Sequence, residues 1–309
     1  AVDDLDAAEA YYAAGVATEV VDNAPLPAGN PLAKLHPAGK AAAQTRTLRR
    51  TNFQIRLIDF DEPSAAGPGM RGVPVQGPGM VHMCFQVAQQ TDVYRRMLAA
   101  GGAPVGKRGL VQLNERNPVY YGYVKDPKGV ITEIEQVDLD KLDPPRPAAN
   151  QYRVRHVSLA TPDLAPMIAF YSAFLGGQEP RHVGKWMNVS GESVDQVSGL
   201  SGSKIEMAWF QLRNLEIEIF EYHSHATKRP KRTRPLDAPG YNMIVFDVSD
   251  IEQARRRITE AGGTIVTPAG EMDGGRIVFG RDPDGNLIGL QQLPASSVLS
   301  AKNFPNNGT

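Results

Sequence analysis

Six histidines, one cysteine and several glutamates set inside apolar stretches are the residues of this chain best suited to chemistry. His82 and Cys84 fall in VHMCFQV, Glu133 and Glu135 in ITEIEQV, His156 in RVRHVSLAT, and Glu216 and Glu218 in NLEIEIFEY. A carboxylate inside an apolar strand is costly to bury alone, so each glutamate needs a partner or an open, solvated sheet face. Imidazoles beside carboxylates can move protons or hold a cation. A single strand histidine is more often a hydrogen-bonded core residue. Alternation along a strand puts His82 on one face with Cys84 and Glu133 on one face with Glu135. It separates neither Glu133 from Glu135 nor Glu216 from Glu218.

Other candidates carry less. His223 and His225 form an HxH pair just before the basic stretch ATKRPKRTRP, which reads as a solvated loop or an anion-attracting lip. Cys84 reads as a core residue rather than a nucleophile. Tyr120, Tyr121 and Trp186 suit an apolar pocket wall or ordinary packing. No phosphate-binding glycine loop or Ser-His-Asp arrangement stands out.

The elements that must position these residues occur twice. VHMCFQV, VYRRMLAAGGAPV and VKDPKGVITEIEQ of residues 81–136 correspond to NMIVFDV, ARRRITEAGGTIV and GRDPDGNLIGLQQ of residues 242–292. Phe85 matches Phe246 and Gly101 matches Gly262 at an offset of 161, and Asp126 matches Asp282 at an offset of 156. Upstream, DDLDAAEAYYAAG matches PDLAPMIAFYSAFLG. Each repeat divides into two modules of one strand, one helix and three more strands, an α+β plan. Helices are expected at 4–14 (capped by Asp3 or Asp4), 90–100, 163–175 and 250–261. Strands are expected at 52–60, 80–87, 130–137, 153–160, 205–212, 215–222, 242–248, 276–281 and 287–292. The divisions are 1–137, a Pro-containing linker at 138–151, 152–293, and a polar, loosely held tail at 294–309. The first module offers only Ala1-Val2 where the third has RVRHVSLAT, so a strand is expected upstream of Ala1.

Composition bounds the rest. The chain has 309 residues, enough for two domains of about 150. A net charge of −1 gives no general pull toward nucleic acid or anionic membrane. One cysteine excludes an internal disulfide framework and CxxC zinc sites. No apolar run reaches the roughly 20 residues needed to span a bilayer. A small-molecule partner, a monomer or homodimer, and a cytoplasmic or, after processing, exported location fit these bounds.

HVSLATPDLAPMIAFYSAFLG, the GMVHMCFQV strand and the two DPxG turns followed by apolar strands resemble the vicinal oxygen chelate superfamily. That superfamily includes glyoxalase I, methylmalonyl-CoA epimerase, the extradiol dioxygenases and the bleomycin-resistance proteins. The resemblance covers nearly the whole chain. It implies tandem βαβββ modules, four here with the first lacking its initial strand, paired into half-open barrels around metal sites. Each module supplies one ligand from its first strand and one from its last. Carried over by position, module two offers His82 and Glu133, and module three offers His156 and Glu218. Module one has Arg56 at the last-strand position. Module four has Met243 (or Asn242) and Gly289. The resemblance therefore implies one live site of His82, Glu133, His156 and Glu218, and one dead site.

Such a site suits one divalent ion, Zn, Ni, Co, Mn or Fe(II). The implied chemistry is lyase, isomerase or epimerase chemistry by proton transfer next to a carbonyl, with Glu133 or Glu218 detaching as base. Two alternatives are an Fe(II) extradiol-type dioxygenase needing only His82, His156 and Glu133, and a metal-free binding protein of the bleomycin-resistance type.

Overall fold

The computed structural model describes residues 1–39, 41–67, 69–141, 151–229 and 231–304. The first module comprises α1 (Leu5–Val16), β1 (Glu19–Asp22), β2 (Ala43–Arg49) and β3 (Gln54–Phe60). The second has β4 (Gly79–Ala88), α2 (Val93–Ala99), β5 (Ala103–Pro104), β6 (Val111–Gln112), β7 (Val119–Lys125) and β8 (Ile131–Val137). The third has β9 (Tyr152–Ala160), α3 (Leu164–Phe174), β10 (Arg181–Val183), β11 (Val189–Ser190), α4 (Glu192–Ser198), β12 (Lys204–Gln211) and β13 (Glu216–Tyr222). The fourth has β14 (Met243–Asp247), α5 (Ile251–Glu260), β15 (Thr264–Ile265), β16 (Gly270–Met272), β17 (Gly275–Arg281) and β18 (Leu287–Gln292). The expected linker falls mostly on 142–150, outside the described residues.

Local chemistry sets the boundaries. Asp4 caps α1 by accepting from the Ala7 amide at 2.9 Å, and Asp250 caps α5 from the Gln253 amide at 2.9 Å. In both DPxG turns the aspartate Oδ1 accepts two backbone amides, Asp126 from Lys128 and Val130 and Asp282 from Asp284 and Asn286. Gly129 and Gly285 there have φ of 84° and 88°, in the left-handed region that suits glycine.

The ten-stranded central sheet runs β10-β12-β13-β9-β4-β8-β7-β5, with β11 on β12 and β6 on β7. It is built from modules two and three, joined by antiparallel pairing of β4 with β9. The division at 138–151 is therefore bridged by a continuous sheet. Modules one and four each contribute a smaller sheet, β1-β2-β3 and β14-β18-β17-β15 with β16 on β17. The architecture is mixed α+β with open rather than closed sheets.

Helices fill the space between layers. One core cluster unites Tyr11 and Val16 of α1, Met97 of α2, Leu48, Ile55 and Leu57 of the β2–β3 sheet, and Met83, Phe85 and Ile134 of the central sheet. A second unites Met167 and Phe170 of α3, Ile251 and Ile258 of α5, and Leu159, Ile217, Ile219, Val278, Ile288 and Leu290 from the sheets on either side. Burying this apolar surface is the main driving force for assembly. The helices of these two clusters lie on one face of the central sheet; on the other, Ile131, Ala160, Ile205, Phe220 and Tyr222 form a further apolar cluster beside a group of polar side chains.

The tail is less loose than its composition suggests. Ser300 is fully buried and its hydroxyl donates to Asp247 Oδ2 at 2.7 Å, while the Leu299 carbonyl accepts from Gln54 Nε2 at 2.9 Å. Residues 299–300 thus fasten β14 to β3.

Candidate metal centre

Two adjacent rungs of the central sheet carry the chemistry. In one, Ile131 of β8 faces His82 of β4, His82 faces Ser158 of β9, Ser158 faces Glu218 of β13, and Glu218 faces Trp209 of β12. In the other, Tyr123 of β7 faces Glu133 of β8, then come Cys84 of β4, His156 of β9 and Glu216 of β13. The rungs lie two residues apart on every strand, so all these side chains share one face. The sequence alone does not give this register. The antiparallel seam between β4 and β9 carries irregularities at Met80/His82 and Cys84/Phe85, which set where the two histidines meet.

The four expected residues converge. His156 Nε2 lies 2.8 Å from Glu133 Oε2 and 3.3 Å from Glu218 Oε2. His82 Nε2 lies 3.1 Å and 3.5 Å from the same two oxygens. All four are buried, at 1% exposure for His82, 3% for His156, 7% for Glu133 and 6% for Glu218. Ser158 sits among them, its Oγ 2.7 Å from His82 Nε2 and hydrogen-bonded to Glu218 Oε2.

Burial works against charge on His82, but its hydrogen bonds to Glu133 and Glu218 win and raise its pKa to about 9. For Glu133, burial alone would raise the pKa, and the hydrogen bonds from His156 and His82 pull it well below the usual carboxylate range. Glu218 is also lowered: burial opposes ionisation, and the charge of His156 and the hydrogen bond from His82 outweigh it.

The donor set fits a divalent ion. Neighbouring nitrogen and oxygen ligands held about 2.0–2.2 Å from one centre stand about 2.8–3.6 Å apart in tetrahedral or octahedral geometry. The N···O separations run from 2.8 to 3.5 Å. One ligand atom from each of the four residues can be chosen so that all lie within 4.8 Å of one another. Two carboxylates this close, buried together, need positive charge between them. A cation supplies it and frees the histidines to be neutral.

Glu135 and Glu216, which share faces with Glu133 and Glu218, are engaged elsewhere. Glu135 takes a short ion pair from Arg155 and a hydrogen bond from Gln86 Nε2 at 2.8 Å. Glu216 pairs with Arg155 and Arg181, each at 3.3 Å. Cys84, Glu135 and His156 also lie close enough to hold an ion, but Arg155 already balances Glu135. The Arg155 guanidinium sits at the irregularity between β4 and β9, where no sequence period would have placed it.

Modules one and four hold a different arrangement. Gly240 pairs through its backbone with Ala1, and the Val2 amide donates to the Ile58 carbonyl at 3.0 Å. Gly79 faces Ala160 in the same way, and the Thr161 amide donates to the Phe220 carbonyl at 2.9 Å. By these registers Met243 corresponds to His82, Gly289 to Glu133 and Arg56 to Glu218, and Asn242 drops out. Arg56 pairs with Asp273 of its own chain at 2.6 Å, and Gln291 Nε2 donates to the same carboxylate at 2.9 Å.

The other candidates lie apart. His223 pairs with Glu206 at 2.9 Å on the opposite face from Glu218, and His225 bonds Ser224. Trp186 is 92% exposed on the turn between β10 and β11. Tyr121 shares the face of Tyr123, and Tyr120 does not. Sequence reasoning missed Ser158, Tyr123 and Trp209. The signal for Ser158 was present: it stands two residues beyond His156, as Cys84 stands two beyond His82.

Residues 153–290 match the family described as the Glyoxalase/Bleomycin resistance protein/Dioxygenase superfamily. A search of the curated proteins finds no match. Among solved structures, glyoxalase I from Zea mays is similar with a TM-score of 0.56 at 17% identity, covering 94% of this chain and 89% of that one. A mutant of the same enzyme gives 0.60 at 16%, with the same coverage. A Bacillus subtilis protein presumed to be a dioxygenase gives 0.54 at 12%, covering 97% of this chain and 85% of its own. At these identities the likeness is one of fold. Residues 153–290 therefore carry a domain of the glyoxalase/bleomycin resistance/dioxygenase, or vicinal oxygen chelate, superfamily, and the chain shares the fold of glyoxalase I along nearly its whole length.

Proposed function

We propose that the chain is a metal-dependent enzyme that moves a proton next to the carbonyl of a small chelating substrate, a lyase, isomerase or epimerase reaction. The observation that carries this reading is Glu218, a fourth buried donor beside His82, Glu133 and His156. A divalent ion held by His82, Glu133, His156 and Glu218 would supply Lewis acidity toward a substrate carbonyl. A dioxygenase needs only two histidines and one carboxylate, which leaves Glu218 without a task.

The residues supply the remainder. His82, His156 and Glu133 hold the centre from three adjacent strands of one sheet, which fixes their spacing. Near-complete burial excludes water and strengthens every charge interaction at the site. A carboxylate at the edge of this set takes the proton from the carbon beside the carbonyl and returns it to the neighbouring carbon or the same one. Tyr123 and Trp209, on the outer sides of the two glutamates, form aromatic walls for a small apolar or flat substrate.

The test uses hydroxyacetone in heavy water under argon, with protein reconstituted with each candidate metal. Deuterium entering the carbon that bears the hydroxyl, lost in Glu218→Gln, supports the reading. Oxygen-dependent cleavage of catechol, retained in Glu218→Gln, overturns it.

A further inference from the structure

The two halves of the site are related by exchange of the modules: His82 corresponds to His156, and Glu133 to Glu218. Under that exchange Cys84 corresponds to Ser158. Each stands two residues beyond a histidine, and each sits in register between one glutamate and the opposite histidine. Ser158 lies between Glu218 and His82, and Cys84 between Glu133 and His156. The site is symmetric in its four charged side chains and asymmetric in this pair.

We propose that Ser158 is the positioning residue that selects Glu218, and not Glu133, as the carboxylate that leaves the ligand set and serves as base. This rests on the metal-site reading above.

A carboxylate that leaves a buried centre loses its charge partner and needs a hydrogen-bond donor within reach. Ser158, fully buried, already donates to Glu218 Oε2. With its one proton given to Glu218, the hydroxyl can only accept at its other contact, His82 Nε2 at 2.7 Å, and that takes a proton on the nitrogen. Once His82 Nε2 is a ligand, the hydroxyl is left to Glu218 alone. Cys84 offers Glu133 a thiol, a far weaker donor. The distances lean the same way. Glu133 Oε2 is the closer to both imidazoles, at 2.8 and 3.1 Å against 3.3 and 3.5 Å for Glu218. Glu133 is the anchored carboxylate, and Glu218 is the peripheral one with a hydroxyl waiting.

The test loads wild type, Ser158→Ala, Glu218→Ala and the double variant with Co(II) and titrates each with acetohydroxamate, a bidentate oxygen chelator. The visible spectrum of the cobalt reads both loading and chelation. Ser158→Ala binds Co(II) within about threefold of wild type but takes acetohydroxamate about tenfold or more weakly, the effect of losing one charge-assisted hydrogen bond. In the Glu218→Ala background, loaded with excess Co(II) to offset its weaker binding, the same change has no effect beyond about twofold, because the carboxylate it serves is gone. Adding Cys84→Ser to Ser158→Ala restores most of the affinity by giving Glu133 the hydroxyl.

Equal weakening in both backgrounds, or none in either, overturns the proposal. Loss of Co(II) from Ser158→Ala overturns it too, since the hydroxyl would then be a ligand. A wild type that binds no Co(II) overturns the metal-site reading and this inference together. A normal Co(II) spectrum without any dependence on Ser158 overturns this inference alone.

Discussion

Arg56 and Asp273 meet at 2.6 Å in the outer modules, and Arg56 stands at the strand position that Glu218 fills in the central sheet. Where the central sheet has a buried carboxylate, the outer modules have an internal ion pair. The pair is largely buried, with the Arg56 side chain 18% exposed and that of Asp273 7%. Removing one partner leaves the other charge uncompensated. Arg56→Ala is expected to cost about 3 kcal/mol in urea unfolding. Arg56→Met with Asp273→Leu recovers most of that loss. Metal content stays at the wild-type level in both variants. A loss of metal in Arg56→Ala would place the centre in the wrong pair of modules.

His82 sets a pH dependence for the metal-free protein. Its folded pKa of about 9 lies above the ordinary 6.5, so the folded state binds the extra proton. The resulting stability is complete below pH 6.5 and is lost as pH rises through 9, a change of order 3 kcal/mol. Urea midpoints across that window should fall with pH for wild type and flatten in His82→Gln.

The same proton competes with a metal. Binding at pH 7 must displace it from His82, so affinity rises with pH up to about 9, close to tenfold per unit. Calorimetry in buffers of different ionisation enthalpy should show about one proton released per ion bound.

Glu133 and Glu135 share one face of β8, yet the structure gives them different partners. Glu135→Gln should keep the metal and lose stability, because Arg155 then has only Glu216. Glu133→Gln should lose the metal and keep the fold. His223→Ala and Trp186→Ala, on the far face and at an exposed turn, should change neither metal content nor stability by more than about 0.5 kcal/mol.

The elements of the fold were legible because each is written in a short-range code. Apolar alternation gives β4, β8, β9 and β13 within a residue or two, and glycines close α2 and α5. His82, Glu133, His156 and Glu218 were reachable because the family resemblance points to the first and last strand of each module, and the internal repeat shows where those modules lie. The choice of Glu218 over Glu216 was not, since both lie on one face of β13 and only the pairing of β13 with β9 separates them. Register across strands far apart in sequence is a tertiary property. The same holds for Ser158, whose place between His82 and Glu218 depends on two separate pairings. Arg155 is hidden further, because an irregular seam turns it toward Glu135.

The central claim is one divalent ion held by four residues across the β4–β9 seam. Its most direct test is elemental analysis of protein purified without a histidine tag, comparing wild type with the four single variants His82→Ala, Glu133→Ala, His156→Ala and Glu218→Ala. The account predicts about one ion per chain in wild type, and loss or marked weakening in every variant, with circular dichroism unchanged. Iron retained at full occupancy in Glu218→Ala, or no metal in wild type after reconstitution, would contradict it.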